Sequence, residues 1–367
     1  MSRFRFIMAG GGTGGHVFPA LAVAQILRER GHEILFIGTR EGMESRLVPA
    51  AGYEMEFVRV GGLNRVGLKR QLQTAVELPV SAGAATGILS AWKPDAVFSM
   101  GGFVAGPVVI AAVLRRAPLV VMEPNAIPGF TNRRVAPFVY RALVGFEETA
   151  RWFPAGKTEV TGLPIREEFF KLTPKAEGVF TLLITGGSRG ARSLNRASKE
   201  SWPLFREHRT PIRIVHQTGS SEHEALAREF ETAGVEGEVV RFISGMARAF
   251  AQADLVLGRA GAGGVGEIAA AGMPSILVPL PFAADDHQRK NAEALVKQGA
   301  ARMILDKELS GRRLFEEVEE LRRNPAALAE MRERVRQFAR PGAAERAAEV
   351  LEQAAREKSL RKRRVGR

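Results

Sequence analysis

Two glycine-rich turns and one histidine carry the first chemical signal in this 367-residue chain. Gly10-Gly-Gly-Thr-Gly-Gly15 lies between an apolar run (Phe4 to Ala9) and a helical pattern, and His16 follows it directly. Glycines at a strand-to-helix turn let the backbone approach a ligand closely, and the N–H groups of a helix start favour an anion. A histidine beside such a turn titrates near neutral pH and can move a proton. Gly10, Gly12 and Gly15 also satisfy G-x-G-x-x-G, so an NADP-dependent oxidoreductase is one alternative. The second strand ends Phe36-Ile-Gly-Thr-Arg40-Glu41, where Arg40 suits a 2′-phosphate at best.

A further loop, Arg259-Ala-Gly-Ala-Gly-Gly-Val-Gly-Glu267, follows the apolar Leu255 to Leu257. Its N–H groups suit a pyrophosphate, Arg259 is expected to add positive charge, and Glu267 can accept two hydrogen bonds from a ribose diol. Asp285, Gln288 and Asn291 stand at i, i+3 and i+6, expected to share one helical face suited to sugar hydroxyls. Another glycine turn, Gly186-Gly-Ser-Arg-Gly190, has no place in the dinucleotide reading. The other histidines (His32, His208, His216, His223 and His287) lack metal-ligand spacing, and no Asp-x-Asp motif adjoins the loops. Neither a metal nor a cofactor is expected.

Strands must hold these loops. Predicted strands are Phe4 to Ala9, Ile34 to Ile37, Ala96 to Ser99, Leu119 to Met122 and Ala142 to Val144. The pattern restarts with Phe180 to Thr185, Ile212 to His216, Val239 to Ile243, Leu255 to Leu257 and Ser275 to Val278. Alternation with helical stretches predicts an α/β fold: two doubly wound, Rossmann-like halves of parallel strands. The expected division is 1–163 and 164–340, near Thr161-Gly-Leu-Pro-Ile-Arg166, then a helix at 341–358 and a basic tail at 359–367. Ala96 to Leu114 is uncharged for 19 residues, but Gly101-Gly102 and Gly106-Pro107 break it. A strand, a turn and a helix from Pro107 are expected there, not a membrane span, and no signal peptide is expected at the N-terminus.

Composition sets outer bounds. The length favours two domains. With no cysteine, disulfides, Cys-ligated zinc, iron–sulfur clusters and thiolate catalysis are excluded within this chain. A net charge of +13 favours anionic partners, and Arg356 to Arg367 is a strongly basic end, expected to be solvated. Leu63 to Trp92 carries Leu68, Leu72, Val76, Leu78, Val80, Ile88, Leu89 and Trp92 with Arg65, Lys69 and Arg70 near its start. That pattern fits interfacial membrane docking or an ordinary core-facing helix. No nucleic-acid-binding fingerprint is present, so nucleic acid is not an expected partner.

In combination the motifs resemble the bacterial MurG family of N-acetylglucosaminyltransferases over essentially the whole chain. The resemblance rests on Gly11-Gly-Thr-Gly-Gly-His16-Val-Phe-Pro, Gly101-Gly-Phe-Val-Ala-Gly-Pro107, Glu123-Pro-Asn125 with Pro128-Gly-Phe-Thr-Asn132, and Thr161 to Arg166. It continues through Gly186-Gly-Ser188-Arg-Gly-Ala-Arg-Ser-Leu-Asn195, Arg259 to Ala262, Glu267 to Gly272, and Asp285-Asp-His-Gln288-Arg-Lys-Asn291. It implies a GT-B glycosyltransferase fold, two Rossmann-like domains facing a cleft. The implied reaction is inverting transfer of GlcNAc from UDP-GlcNAc to the muramyl 4-hydroxyl of undecaprenyl-pyrophosphoryl-MurNAc-pentapeptide, a step of peptidoglycan synthesis. It further implies peripheral attachment to the cytoplasmic face of an anionic inner membrane and partners in the cell-wall synthesis machinery. By motif, His16 is the implied base. Implied donor contacts are Thr13, Gly14, Gly15, Asn125, Arg166, Ser188, Ile243, Ala262, Gly263, Gly264, Val265, Gly266, Glu267 and Gln288. Gly264 stands where the family often has Thr. Other GT-B transferases and a non-catalytic nucleotide-sugar-binding protein remain alternatives.

Overall fold

The computed structural model describes residues 3–12, 14–60, 68–173, 175 and 178–365, with side chains at all of these except 68–76 and 362–365. Leu68, Lys69, Arg70, Leu72 and Val76 of the candidate docking segment therefore lie outside the described side chains, and Arg65 outside the described residues. The chain divides into two compact units, residues 1–165 with 340–367, and residues 166–339.

The first unit contains β1 (Arg5–Ala9), α1 (Gly14–Glu29), β2 (Glu33–Gly38), α2 (Glu44–Ala50), β3 (Glu54–Phe57), α3 (Leu68–Trp92), β4 (Ala96–Ser99), α4 (Gly102–Leu114), β5 (Leu119–Glu123), α5 (Phe130–Val135), β6 (Arg141–Val144) and β7 (Thr158–Val160). The strands form one parallel sheet in the order β3-β2-β1-β4-β5-β6-β7. Helices cover both faces, which is why β1, β4 and β5 read as continuous apolar runs and not as alternating ones. The order turns outward from β1 and β4, so the loops after these two strands diverge at a topological switch point. Helix α4 starts at Gly102, five residues before the expected Pro107. Pro107 sits inside the helix, where its missing N–H removes the donor for the Phe103 carbonyl in the first turns. From α3, Leu89 is buried and Ile88 and Trp92 pack on the same core, whereas Val80 is 73% exposed.

The second unit repeats the plan with β8 (Phe180–Thr185), α6 (Arg192–Glu207), β9 (Ile212–Gln217), α7 (His223–Glu231), β10 (Glu236–Val240), α8 (Met246–Ala251), β11 (Leu255–Gly258), α9 (Ala262–Ala271), β12 (Ser275–Leu277), α10 (His287–Lys297), β13 (Arg302–Met303), α11 (Gly311–Arg322) and α12 (Pro325–Arg336). Its parallel sheet runs β10-β9-β8-β11-β12-β13, with the switch point between β8 and β11. The strand expected at Val239 to Ile243 lies three residues earlier. β10 is an edge strand with no fully buried residue, so core burial does not fix its apolar register, and the chain turns away before Phe242.

After Pro341 the chain returns to the first unit as α13 (Ala343–Val365). Ala344, Ala347, Ala348, Leu351, Ala354 and Ala355 recur at helical spacing and are buried against α1 and β4. The small residues allow close approach, and Leu351→Ala is worth about 2–5 kcal/mol by the cavity it leaves. Glu352 fastens the helix by meeting His32 Nε2 at 3.1 Å and Arg30 at 3.3 Å, and pairs with Arg356 of its own helix at 3.0 Å. The basic end continues this helix to Val365 instead of fraying from Arg356, because packing of the preceding turns supplies the nucleus.

Candidate functional site

In the first unit the glycine loop follows β1 and ends in the first turn of α1. Gly14, Gly15 and His16 form that turn, all half-buried; Thr13 lies outside the described residues. His16 Nδ1 stands 3.3 Å from the Gly11 carbonyl oxygen. The ring also packs toward Gly102, where a Cβ would come within 3.4 Å of Cε1. The loops after β1 and β4 thus meet at His16, as the switch point requires.

Asn125 belongs to the loop after β5, and a buried carboxylate shapes that loop. Glu123 accepts from the Asn125 N–H at 3.0 Å, the Asn125 side-chain amide at 3.1 Å, the Gly129 N–H at 3.0 Å and the Asn132 amide at 2.9 Å. Burial raises the Glu123 carboxyl above its ordinary pKa, and these four hydrogen bonds oppose the shift without cancelling it. Thr149 Oγ1 donates to the Asn125 carbonyl at 2.9 Å and closes the loop from the far side. A buried glutamate at a strand end, followed at short range by two asparagines, was the available sequence signal for this cluster.

In the second unit Ser188, Ile243 and the Ala262 to Glu267 stretch follow the C-terminal ends of β8, β10 and β11, whereas Gln288 lies in α10 after β12 and Arg166 precedes β8. Helix α9 spans the stretch Ala262 to Glu267, and Gly261 at its N-cap offers no side chain to its first N–H groups. That leaves the helix start suited to an anion. Arg166 reaches Glu267 with Nη2 to Oε1 at 3.3 Å, and its Nη1 meets Glu168 at 2.8 Å. Burial raises the Glu267 carboxyl above its ordinary value, while the Arg166 charge and hydrogen bond pull it down. Gln288 Oε1 accepts from Leu280 N–H at 3.0 Å, and its Nε2 would lie 3.8 Å from a Cβ on Gly261. Ser188 is exposed in the turn after β8.

Two local expectations fail. Arg259 does not add free charge to these loops. It binds Asp306 at 2.6 Å, the Ser193 hydroxyl at 2.8 Å and the Val278 carbonyl at 3.1 Å, so its guanidinium is neutralised while it ties strands together. Asp285, Gln288 and Asn291 do not share one helical face. Asp285 has φ +51° in a turn before α10, and Asn291 is buried with its amide on the Ala260 carbonyl at 3.0 Å. Asn291 therefore holds the loop that leads into α9, and Gln288 alone of the three remains on the implied donor list.

Gln217, at the end of β9, was missed. It is buried, donates to the Gly187 carbonyl at 2.8 Å, and accepts the Ile243 N–H at 2.8 Å. One side chain thus sets both the turn bearing Ser188 and the backbone at Ile243. Asn195 completes the frame. It accepts from His216 Nε2 at 3.1 Å and donates to the Thr218 carbonyl at 3.1 Å and to Glu222 at 2.6 Å. Burial pushes His216 down to about 3, so it serves as a neutral donor. Gly190 and Gly219 let the two loops touch backbone to backbone, since a Cβ on Gly190 would stand 1.7 Å from the Thr218 oxygen. Among the described residues no group of three or more His, Asp or Glu is arranged to hold a metal ion.

The chain is similar to known proteins over most of its length. The glycosyltransferase family 28 N-terminal domain matches residues 6–144, and the family's C-terminal domain matches residues 181–347. A relative from Solibacter usitatus is 56% identical over 352 residues, 96% of each chain. It is named UDP-N-acetylglucosamine–N-acetylmuramyl-(pentapeptide) pyrophosphoryl-undecaprenol N-acetylglucosamine transferase. A protein of the same name from Nitrosococcus oceani is 44% identical, over 94% of this chain and 97% of its own. Among solved structures, MurG of Acinetobacter baumannii matches with a TM-score of 0.79 at 32% identity, over 95% of this chain and 99% of its own.

Proposed function

Because the chain belongs to the MurG family of N-acetylglucosaminyltransferases, with the GT-B fold, we propose that it moves GlcNAc from UDP-GlcNAc to the C4 hydroxyl of MurNAc in undecaprenyl-pyrophosphoryl-MurNAc-pentapeptide. The observation that carries this reading is 56% identity to a transferase of that name across nearly all of both chains. The dinucleotide alternative loses its anchor, since Arg40 lies over the Phe57 ring at 4.7 Å.

The chemistry is a single displacement with inversion. The acceptor oxygen attacks the anomeric carbon, the bond from that carbon to the β-phosphate oxygen breaks, and UDP leaves with the electron pair. His16 takes the acceptor proton, because an unassisted alcohol is a poor nucleophile. The uncapped start of α9, spanning Ala262, Gly263, Gly264, Val265 and Gly266, and the Arg166 guanidinium balance the charge that develops on the pyrophosphate. Glu267 accepts from the ribose hydroxyls. Ser188, the Ile243 backbone and Gln288 hold the rest of the nucleotide, with Asn125, Gly14 and Gly15 as the first unit's donor contacts.

The acceptor is a lipid, and no helix among the described residues is long and apolar enough to cross a membrane. Peripheral binding at the cytoplasmic face of an anionic membrane is our reading. Its support is three exposed aromatic side chains of the first unit, Phe130, Phe138 and Trp152, with Arg134 over Phe130 at 5.0 Å and Arg151 over Trp152 at 5.8 Å. Aromatic rings beside arginines suit the headgroup level of a bilayer. Incubation with labelled UDP-GlcNAc and a soluble lipid-acceptor analogue tests the activity. A labelled disaccharide and released UDP are expected; UDP-GlcNAc binding with no product would reduce the protein to a nucleotide-sugar binder.

A further inference from the structure

The mechanism above leaves the buried Glu44 carboxylate without a role. Glu44 opens α2, 32 residues along the chain from Gly12, and its side chain is wholly buried. Three donors meet its oxygens: the Gly12 N–H at 2.8 Å, the Thr39 N–H at 3.0 Å and the Thr39 hydroxyl at 2.7 Å. Space for it is made by glycines. A Cβ on Gly11 would stand 2.3 Å from the carboxyl carbon, and one on Gly42 2.1 Å from Oε2. A carboxylate is an expensive group to bury, tolerated where hydrogen bonds replace its water, and here it is set directly under the glycine loop.

The Gly12 N–H and the Gly11 C=O are two ends of one peptide group. Glu44 holds the N–H end, and His16 Nδ1 stands 3.3 Å from the C=O end. A carbonyl oxygen only accepts, so Nδ1 carries the proton and the ring's lone pair sits on Nε2. Negative charge at the N–H end polarises the peptide and strengthens its oxygen as an acceptor. We propose that Glu44 is a positioning residue for His16, fixing the ring's tautomer and orientation through the Gly11–Gly12 peptide. The peptide occupies the place that a carboxylate fills directly beside histidine in hydrolase triads. The role of this relay in transfer rests on the reading of His16 as the base.

Glu44→Gln keeps the size of the side chain but removes its charge, and it turns an amide toward either Gly12 or Thr39. In the full-length enzyme kcat is expected to fall on the order of 10–100-fold, the range for loss of a histidine's orienting partner, with the UDP-GlcNAc KM within about twofold. In ¹⁵N-histidine-labelled protein, His16 should show the Nδ1–H tautomer in the wild type, with Nε2–H gaining population in Glu44→Gln. Thr39→Val removes a bond from the same carboxylate but leaves its contact with Gly12. It should lower Tm while kcat and tautomer stay near normal, whereas a merely structural Glu44 would make the two variants behave alike. If Glu44→Gln does not fold, Glu44→Asp, which draws the charge back by one methylene, reads the same tautomer shift. Wild-type kcat and tautomer in a folded Glu44 variant overturn the proposal. Near-normal turnover in His16→Ala would overturn the base instead, and the tautomer measurement would still report on the link to Glu44.

Discussion

Gln217 accepts the backbone N–H of Ile243 at 2.8 Å, from a buried position at the end of the neighbouring strand. Its amide simultaneously holds the Gly187 carbonyl. Two loops that follow different strands are therefore set by one side chain, and both carry implied donor contacts. Gln217→Ala leaves the Ile243 N–H and the Gly187 carbonyl without this partner. The expected result is a UDP-GlcNAc KM raised about tenfold, or about 1.4 kcal/mol, within the range for losing a buried hydrogen-bond partner. kcat at saturating donor should change less. An unaltered KM would show that the two loops hold their shape without it.

Glu267 gives donor binding a pH dependence. Burial raises its carboxyl pKa, and Arg166 only partly offsets this. A ribose diol needs the carboxylate as acceptor, so donor affinity should be full above the raised pKa and decline as pH falls through it. The decline should therefore begin above the ordinary glutamate range. Calorimetric titration with UDP-GlcNAc over an acid series checks this, and Glu267→Gln should bind more weakly with a flat profile. A wild-type profile as flat as the variant's would remove Glu267 from the ribose.

Glu123 makes the corresponding statement about stability. Its burial outweighs the hydrogen bonds from Asn125, Asn132 and Gly129, so its folded-state pKa lies above the unfolded value. For a raised pKa the stabilising contribution is complete below the unfolded-state value. It is lost as pH rises through the folded value. Relative to Glu123→Gln, which does not titrate, the wild type should lose stability as pH rises from about 4 toward neutrality. Urea unfolding at several pH values measures the gap, and a constant gap would contradict the raised pKa.

The exposed aromatic side chains and their arginines predict a charge-dependent membrane affinity. Arg134→Glu with Arg151→Glu should weaken binding to anionic vesicles by on the order of 2 kcal/mol, about thirtyfold, with little effect on neutral vesicles. Added salt should weaken the wild type similarly. Co-sedimentation reads both. Equal binding by the double variant would move the docking surface elsewhere.

Legibility in the sequence followed how the information is stored. The glycine turns after β1, β8 and β11 are local, so the chain announces them, and the two-sided burial of central strands leaves plain apolar runs. β10 was displaced because an edge strand has weak burial and its residues Glu236 and Glu238 do not mark it. Arg259 and Asn291 carry the residue types of a ligand site. Their partners, Asp306 and the Ala260 carbonyl, lie 47 and 31 residues away, and no local pattern reveals such pairings. Glu44 sits in a polar stretch between short elements, where a buried carboxylate looks like any solvated one. Its role depends on Gly11 and Gly12, more than 30 residues away, which only the fold brings beside it.

The return of α13 to the first unit bears on how the enzyme is made. The core around β1 is closed by Ala347, Leu351 and Ala354, which leave the ribosome only after all of residues 166–339 have been synthesised. The first half of the chain therefore emerges early but keeps an open apolar face throughout synthesis of the second. A nascent chain interrupted before residue 343 has a complete second unit and an unfinished first one. Finishing the first unit is thus tied to finishing translation, so truncated chains are exposed to chaperones and proteases through that open face.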